Sequence, residues 1–437
     1  MNINIKRVLF FSFVLLFIIF SSFCNRESSD SDSNTNDDEI TNVYYVSVKG
    51  DDNNDGSKEK PWKTITHGIT TISNGEKLII LSGIYKEKIE IENKGDNDKP
   101  VYIEGESKNS TIIDGTGINR DLIFFDHCKN INISNLTIRN ADRAGIRLSY
   151  SNDITIDNCI IYNNYKWGVF TDFSDRTTIT NCNIYGSRDE HGIYISNSSD
   201  NAIIKNNIVH NNYAAGIQIN ADPSMGGDGI SSDCAIDSNI LYENGKGGGA
   251  AINLASVRDS KIQNNIIYNN YAGGIAAWDD AQGNQWGCKN LKIMHNTIYF
   301  KKTDGRWAIS MKNGSTGGYI INNILIGGEH GGFEYNSNCL SDITIDYNIY
   351  YRADSNILIE DEDVNSYTLP EWQNKGYDKH SFIKSPTQVF IDFLKNNFHL
   401  KTDSPAIDKG LNSNLSYDFE GDNRPRGSGY DMGADEK

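Results

Sequence analysis

The chain has 437 residues, a formal charge of −17 and only seven Pro. So acidic a chain lacks the positive footprint that a phosphate backbone requires, which argues against nucleic acid as a partner. Its seven Cys show no zinc-ligand spacing.

The N-terminus has the parts of an export signal. Lys6 and Arg7 precede an apolar run over 8–20, and Ser21-Ser22-Phe23-Cys24 follows. The run is short for a membrane-spanning helix, and a polar stretch succeeds it. Residues 1–23 therefore read as a signal peptide. Cys24 stands where a bacterial lipoprotein carries its lipid, which makes the expected location the cell envelope or surface and the membrane a partner through the anchor. Loss of Lys6 and Arg7 takes the charge from −17 to −19. Residues 24–41 are rich in Ser, Asp and Asn and read as a disordered tether.

A strand is expected over 43–48. Trp62, Ile65, Ile69 and Ile72 then recur at helical spacing, predicting a short amphipathic helix over 63–73 that covers the open end of a solenoid. Strands of the first coils are expected at 78–81, 89–91 and 101–103, so that 42–120 form an N-terminal cap and first coils.

From 121 to 351 a frame of apolar–x–Asn–(Asn/Cys)–x–apolar returns about every two dozen residues. Copies stand at 156–161 (IDNCII), 179–184 (ITNCNI), 204–209 (IKNNIV), 262–267 (IQNNII) and 293–298 (IMHNTI). Such a period means one unit stacked many times. Within the unit 145–167, the pieces 146–148, 154–156 and 160–162 each alternate with period two. Three strands per turn, stacked in parallel, predict an all-β, right-handed parallel β-helix; the unit is too long for the left-handed hexapeptide type. The Asn residues suit a sharp turn between the second and third strands, because Asn tolerates left-handed backbone and its amides can stack. Two adjacent rows qualify, Asn207/Asn239/Asn265/Asn296/Asn323/Asn348 and Asn158/Asn181/Asn206/Asn264/Asn322, and the sequence leaves open which points inward. Cys159 and Cys182 share the first row's position in successive units. A bridge between them is feasible, but buried free thiols are expected. Residues 352–437 are expected to cap the C-terminal end.

Function is expected along the first strand of each coil. Its outward residues include Arg147, Asp172, Tyr194, Gln218, Asn220, Asn253, Trp278 and Lys312, a mix of aromatic, amide and charged groups suited to sugars. Insertions at 221–233 and 278–287 follow this strand in two coils, expected one coil apart, and can wall a cleft. The opposite border carries Asp189, Glu190, His191, Lys246 and the segment 304–307 with Arg306. Two acid–base arrangements are open: Asp279-Asp280 with Asp222 or Asp228 as paired carboxylates, and His191 with Asp189 or Glu190. The expected partner is a polysaccharide and the expected state a monomer.

The segments YYVSVKGDDNNDGSKEKPWKTI, LIILSGIY and KPVYIEGE resemble the start of secreted right-handed β-helix proteins, among them pectate lyases of polysaccharide lyase family nine. LPEWQNKGYDKHSF, FHLKTDSPAIDKG and DFEGDNRPRGSGYDMGADE resemble the C-terminal segment of bacterial surface β-helix proteins. The resemblance implies fold and secretion, with an Asp cluster for calcium and a lysine base as the lyase pattern. The nearest matches here are residues 190–194 (EHGIY) and 216–218 (GIQ). Tyr194 stands where the pattern has Asp, and Gln218 where it has the lysine. Calcium is therefore left open as a cofactor. The readings carried forward are a polysaccharide-binding protein that also cleaves, with β-elimination ahead of hydrolysis, and a non-catalytic glycan-binding or adhesive lipoprotein.

Overall fold

The structure is a computed structural model and describes residues 40–437 apart from 302, 303 and 363. The expected signal peptide, Cys24 and most of the tether lie outside the described residues. No helix among the described residues is long and apolar enough to cross a membrane.

Three long parallel sheets run the length of the body and form a right-handed β-helix. One coil shows how. Ala144–Ser149 lies in the first sheet, Asn152–Asp157 in the second and Ile160–Tyr162 in the third; Trp167–Asp172 then returns to the first sheet beside Ala144–Ser149. Alternate residues point inward. Ile146 and Leu148, Val169, Ile193 and Ile195, Ile217 and Ile219, and Ile252 and Leu254 are all buried, and they stack in register. The expected core row of the first strand is thus the observed one.

The turn between second and third strands explains the Asn frame. Asn158, Asn181, Asn206, Asn264 and Asn322 all have positive φ, as Asn tolerates at low cost. This is the outer row. The next residue points inward, and Asn207, Asn239, Asn265, Asn296, Asn323 and Asn348 are buried there. Each Nδ2 donates to the next Oδ1 at 3.0–3.1 Å. The same Oδ1 accepts the backbone N–H of the preceding coil, as in Asn239 N to Asn265 Oδ1 at 3.0 Å. A donor that the tight turn leaves unpaired is thereby satisfied in the core. A second ladder, Asn212–Asn244–Asn270, stands at the turn back to the first sheet, which the sequence frame did not reveal. The six described cysteines are buried free thiols, and Cys159 N donates to Cys182 Sγ at 3.4 Å.

The ends are covered. The helix Ile65–Thr71 packs Ile65, Gly68 and Ile69 onto the first coil. Coils continue past the expected boundary at 351, because Ile359–Asp361 joins the first sheet and Phe382–Ile383 the third. The final segment then folds back along the turn between the second and third sheets. Tyr417 bonds Asp237, its carbonyl accepts from Asn264 Nδ2, Ser413 contacts His295 and Leu411 accepts from Asn322. Inside it, Arg424 and Glu436 form a fully buried ion pair at 2.9 Å.

Candidate functional site

Register along the first sheet sets the outward row as Arg147, Phe170, Tyr194, Gln218, Asn253, Ala276, Ser310 and Glu334. Two residues on, a second outward row runs through Asp172, Ser196, Asn220, Ala255 and Trp278, so Trp278 faces outward at the border of the sheet. Ala276 holds the first row in the same strand, and its methyl group between Asn253 and Ser310 leaves a hollow.

That hollow is a cleft of about 300 Å³, at the lower end of the range for small-ligand sites. Asn253, Ala276, Ser310 and Glu334 form its floor, Trp278 and Lys312 one wall, and Arg306 and Trp307 the other. Four of the expected sugar contacts, Asn253, Trp278, Arg306 and Lys312, therefore meet in one place. The walls hold each other in position. Lys312 Nζ lies 5.3 Å from the Trp307 ring centre, and Trp307 Nε1 donates to Glu360 Oε2 at 2.6 Å.

Glu334 is the group that sequence reasoning left out. It is 3% exposed, accepts from Ser310 Oγ at 2.7 Å and pairs with Lys312 Nζ at 2.7 Å. Burial raises its pKa above the usual carboxylate range, while the Lys312 and Ser310 contacts oppose the rise. It was visible as an outward residue. What singles it out is its contact with Ser310 and Lys312, which depends on side-chain directions.

The other expected groups lie elsewhere. Asp279 is buried and faces its own loop, where it accepts from Ala281 N (3.1 Å), Gly283 N (2.9 Å) and Asn313 Nδ2 (2.8 Å). Asp280 accepts from Asn220 Nδ2 at 2.7 Å. Asp222 and Asp228 accept from backbone N–H groups two residues on, at Ser224 and Ile230. The carboxylates expected to pair across the loops are thus engaged in shaping them. The loops themselves do meet, with Trp286 against Gly229, and Arg258 of the coil between them donates from Nη2 to Gln285 O at 3.4 Å. They stand two coil steps apart, with the coil of Ile252–Ala255 between them, not one.

His191 lies on a coil N-terminal to the cleft. Its Nδ1 accepts from Ala215 N at 3.1 Å, its ring stands edge-on to Tyr194, and burial lowers its pKa to about 4. It is therefore neutral at pH 7, with Nε2–H facing Glu190 Oε2 at 3.5 Å. Asp189 and Glu190 both lie 3.7 Å from Lys166 Nζ. Arg147 sits between the Phe124 and Phe170 rings and pairs with Asp172 at 3.0 Å. Arg147 and Glu334 are seven coils apart, about 34 Å at a strand spacing of 4.8 Å. The expected contacts span an extended polymer, not one reacting atom.

The positions that match the calcium-and-lysine pattern do not fit a calcium site. Only Glu190 offers a carboxylate among 190–194, whereas Ca²⁺ takes six to eight oxygens. Gln218 accepts from Asn253 Nδ2 at 2.7 Å. Among the described residues, one group has metal-ligand proximity, His399, Glu420 and Asp435 in the C-terminal segment. There Asp435 already accepts from His399 Nδ1 and Leu400 N, both at 2.8 Å.

Comparison with known proteins agrees with this architecture. Residues 44–192 match the family model described as Pel9A-like, right handed beta helix region. The chain superposes on pectate lyase Pel9A with a TM-score of 0.64 at 14% identity, covering 91% of this chain and 97% of that one. It superposes on an alginate lyase from Paenibacillus sp. str. FPU-7 with a TM-score of 0.52 at 16% identity, covering 74% and 98%. At these identities the shared property is the fold, and the resemblance read from the terminal motifs is borne out at that level. A stretch of 109 residues is 29% identical to uncharacterized protein YwoF of Bacillus subtilis (strain 168), spanning 24% of this chain and 23% of that relative.

Proposed function

We propose that this is an exported, lipid-anchored β-helix protein that binds a uronate-containing polysaccharide along its first sheet and cleaves it by β-elimination in the Trp278–Trp307 cleft. One observation carries the reading: a buried carboxylate, Glu334, lies beside the cation Lys312 on the floor of a cleft walled by two indoles. Superposition on a pectate lyase and an alginate lyase supports the choice of substrate class.

Elimination needs a base for the proton beside the sugar carboxylate and a positive charge for the anion that forms. In this reading Glu334 accepts that proton. Lys312 and Arg306 neutralise the substrate carboxylate; the bond to the C4 oxygen then breaks, the departing oxygen takes a proton from water, and an unsaturated sugar is left. Trp278 and Trp307 hold the flanking rings. The test is incubation of the mature chain with polygalacturonate and alginate, followed by ultraviolet absorbance of the unsaturated product. Glu334→Gln should abolish product while binding persists, and Lys312→Ala should weaken binding. Binding without product by the unaltered protein would rule out cleavage of those substrates.

That outcome would favour the second reading, a non-catalytic glycan-binding or adhesive lipoprotein. It is favoured by Gln218 and Tyr194, which stand where the lyase pattern has its lysine and an Asp.

A further inference from the structure

The border between the third and first sheets carries a pattern that neither the core nor the cleft explains. Three residues after each third-sheet strand, Tyr165, Tyr213 and Tyr271 occupy one position in alternate coils. The backbone links confirm the alignment: Arg188 N donates to Tyr165 O, Tyr213 N to Ser187 O, and Tyr271 N to Asn244 O. These tyrosines are 45%, 46% and 54% exposed, uncommonly high for side chains with this much apolar surface. The coils between and after them present exposed cations on the same border. Arg188 lies between Tyr165 and Tyr213, Lys246 between Tyr213 and Tyr271, and Arg306 one coil beyond Tyr271 at the wall of the cleft. No described carboxylate pairs with Arg188 or Lys246, and the Arg188 guanidinium lies over the Tyr165 ring, 5.6 Å from its centre. Asp142 precedes Tyr165 by one coil and ends the pattern.

Spacing sets what this border can hold. Stacked rings in the neighbouring third sheet measure the rise directly, with centres 4.6–5.1 Å apart from Tyr162 through Tyr185, His210 and Tyr242 to Tyr268. Alternate coils are thus about 9.6 Å apart. That is close to the length of a disaccharide in an extended β-1,4-linked chain, where every second residue turns the same way. Rings and cations alternate at half that step, one sugar apart. Gly247 keeps the row compact: a Cβ there would stand 2.2 Å from the Tyr213 ring.

We propose that Tyr165, Arg188, Tyr213, Lys246, Tyr271 and Arg306 form a rail for an extended β-1,4-linked uronan. Alternate sugars stack on tyrosine, and the intervening carboxylates meet the cations. The rail ends at the cleft, and its role in feeding the cleft, though not its own binding, rests on the cleft's reading as a glycan site. In an acidic protein, a line of exposed cations ending at the cleft is the charge complementarity such a chain requires.

The test is calorimetric binding of β-1,4-linked mannuronate oligomers of two to ten residues to the mature chain, with cello-oligomers as a neutral series. Affinity for mannuronate oligomers should keep rising beyond the length the cleft encloses, and exceed that for cello-oligomers of equal length. Tyr213→Ala should weaken the longest mannuronate oligomer about fivefold, with Tyr213→Phe close to unaltered and the shortest bound oligomer unaffected. Affinity that stops rising at cleft length, a Tyr213→Ala protein that binds long oligomers normally, or failure of mannuronate oligomers to bind would each overturn the rail. Lys312→Ala separates the two sites. If it weakens short oligomers while Tyr213→Ala changes nothing, the cleft stands and the rail fails. If only the rail variants respond, the cleft reading fails and the rail stands.

Discussion

Glu334 has the most specific consequence at the scale of single residues. Burial raises its pKa, so a role as proton acceptor is lost as pH falls through a value above the ordinary carboxylate range. Product formation should therefore decline on the acid side at a higher pH than an exposed Glu would give, and Ser310→Ala, which removes one hydroxyl donor, should move that limb further up. A pH–rate profile of the two proteins checks it. His399 gives a separate expectation. Its hydrogen bond to Asp435, opposed by burial, raises its pKa. Protonated His399 therefore stabilises the fold fully below about pH 6.5, its unfolded value, and that contribution is lost as pH rises through the higher folded value. His399→Gln should flatten the rise in urea midpoint seen on lowering pH across that window. The sequence made most of the outward row legible, because a period of two fixes which residues face out. It did not show that the small Ala276, two residues before Trp278, opens the hollow that Trp278 walls. It passed over Glu334, whose significance lies in contacts with Ser310 and Lys312 on a neighbouring coil.

For a single coil, the stacked amides decide stability. From Asn239 onward each Oδ1 of the inner Asn row serves two donors from the coil before it, and each of these residues is buried. Asn265→Ala would strand the Asn239 backbone and side-chain N–H groups in the core and leave a small void. It should cost about 3 kcal/mol, at the upper end for a lost buried partner. Asn264→Ala, one residue away, removes a bond to Tyr417 O and places Ala at positive φ, and should cost about 1–2 kcal/mol. Urea denaturation of the two variants checks the order. The frame announced a turn with stacked Asn, but both rows fit it equally well on paper. Only the pleat direction of the preceding strand, Lys261–Gln263, shows which side chain enters the core.

Considered as a whole molecule, the protein is a stack whose units touch mainly their neighbours. Such stacks tend to fray from an end. Here the end is fastened by a segment in which His295 meets Arg424 at 2.7 Å and Ser413 at 2.8 Å. Burial first and the Arg424 charge second hold His295 neutral, its pKa well below 6.5. Below about pH 6.5 the unfolded chain takes up a proton that the native His295 refuses, so stability falls with pH there. His295→Asn should lessen that fall, as read from melting temperature between pH 6.5 and 5.

The returning C-terminal segment touches five successive coils, through Lys205, Asp237, Asn264, His295 and Asn322. Its residues are made after all the coils they bind. A nascent chain can therefore stack these coils in order of synthesis, yet they stay able to unzip until the returning segment arrives. The segment acts as a latch that closes only once the coils beneath it exist, and a chain truncated near 410 should be digested by a protease far faster than one that keeps the segment.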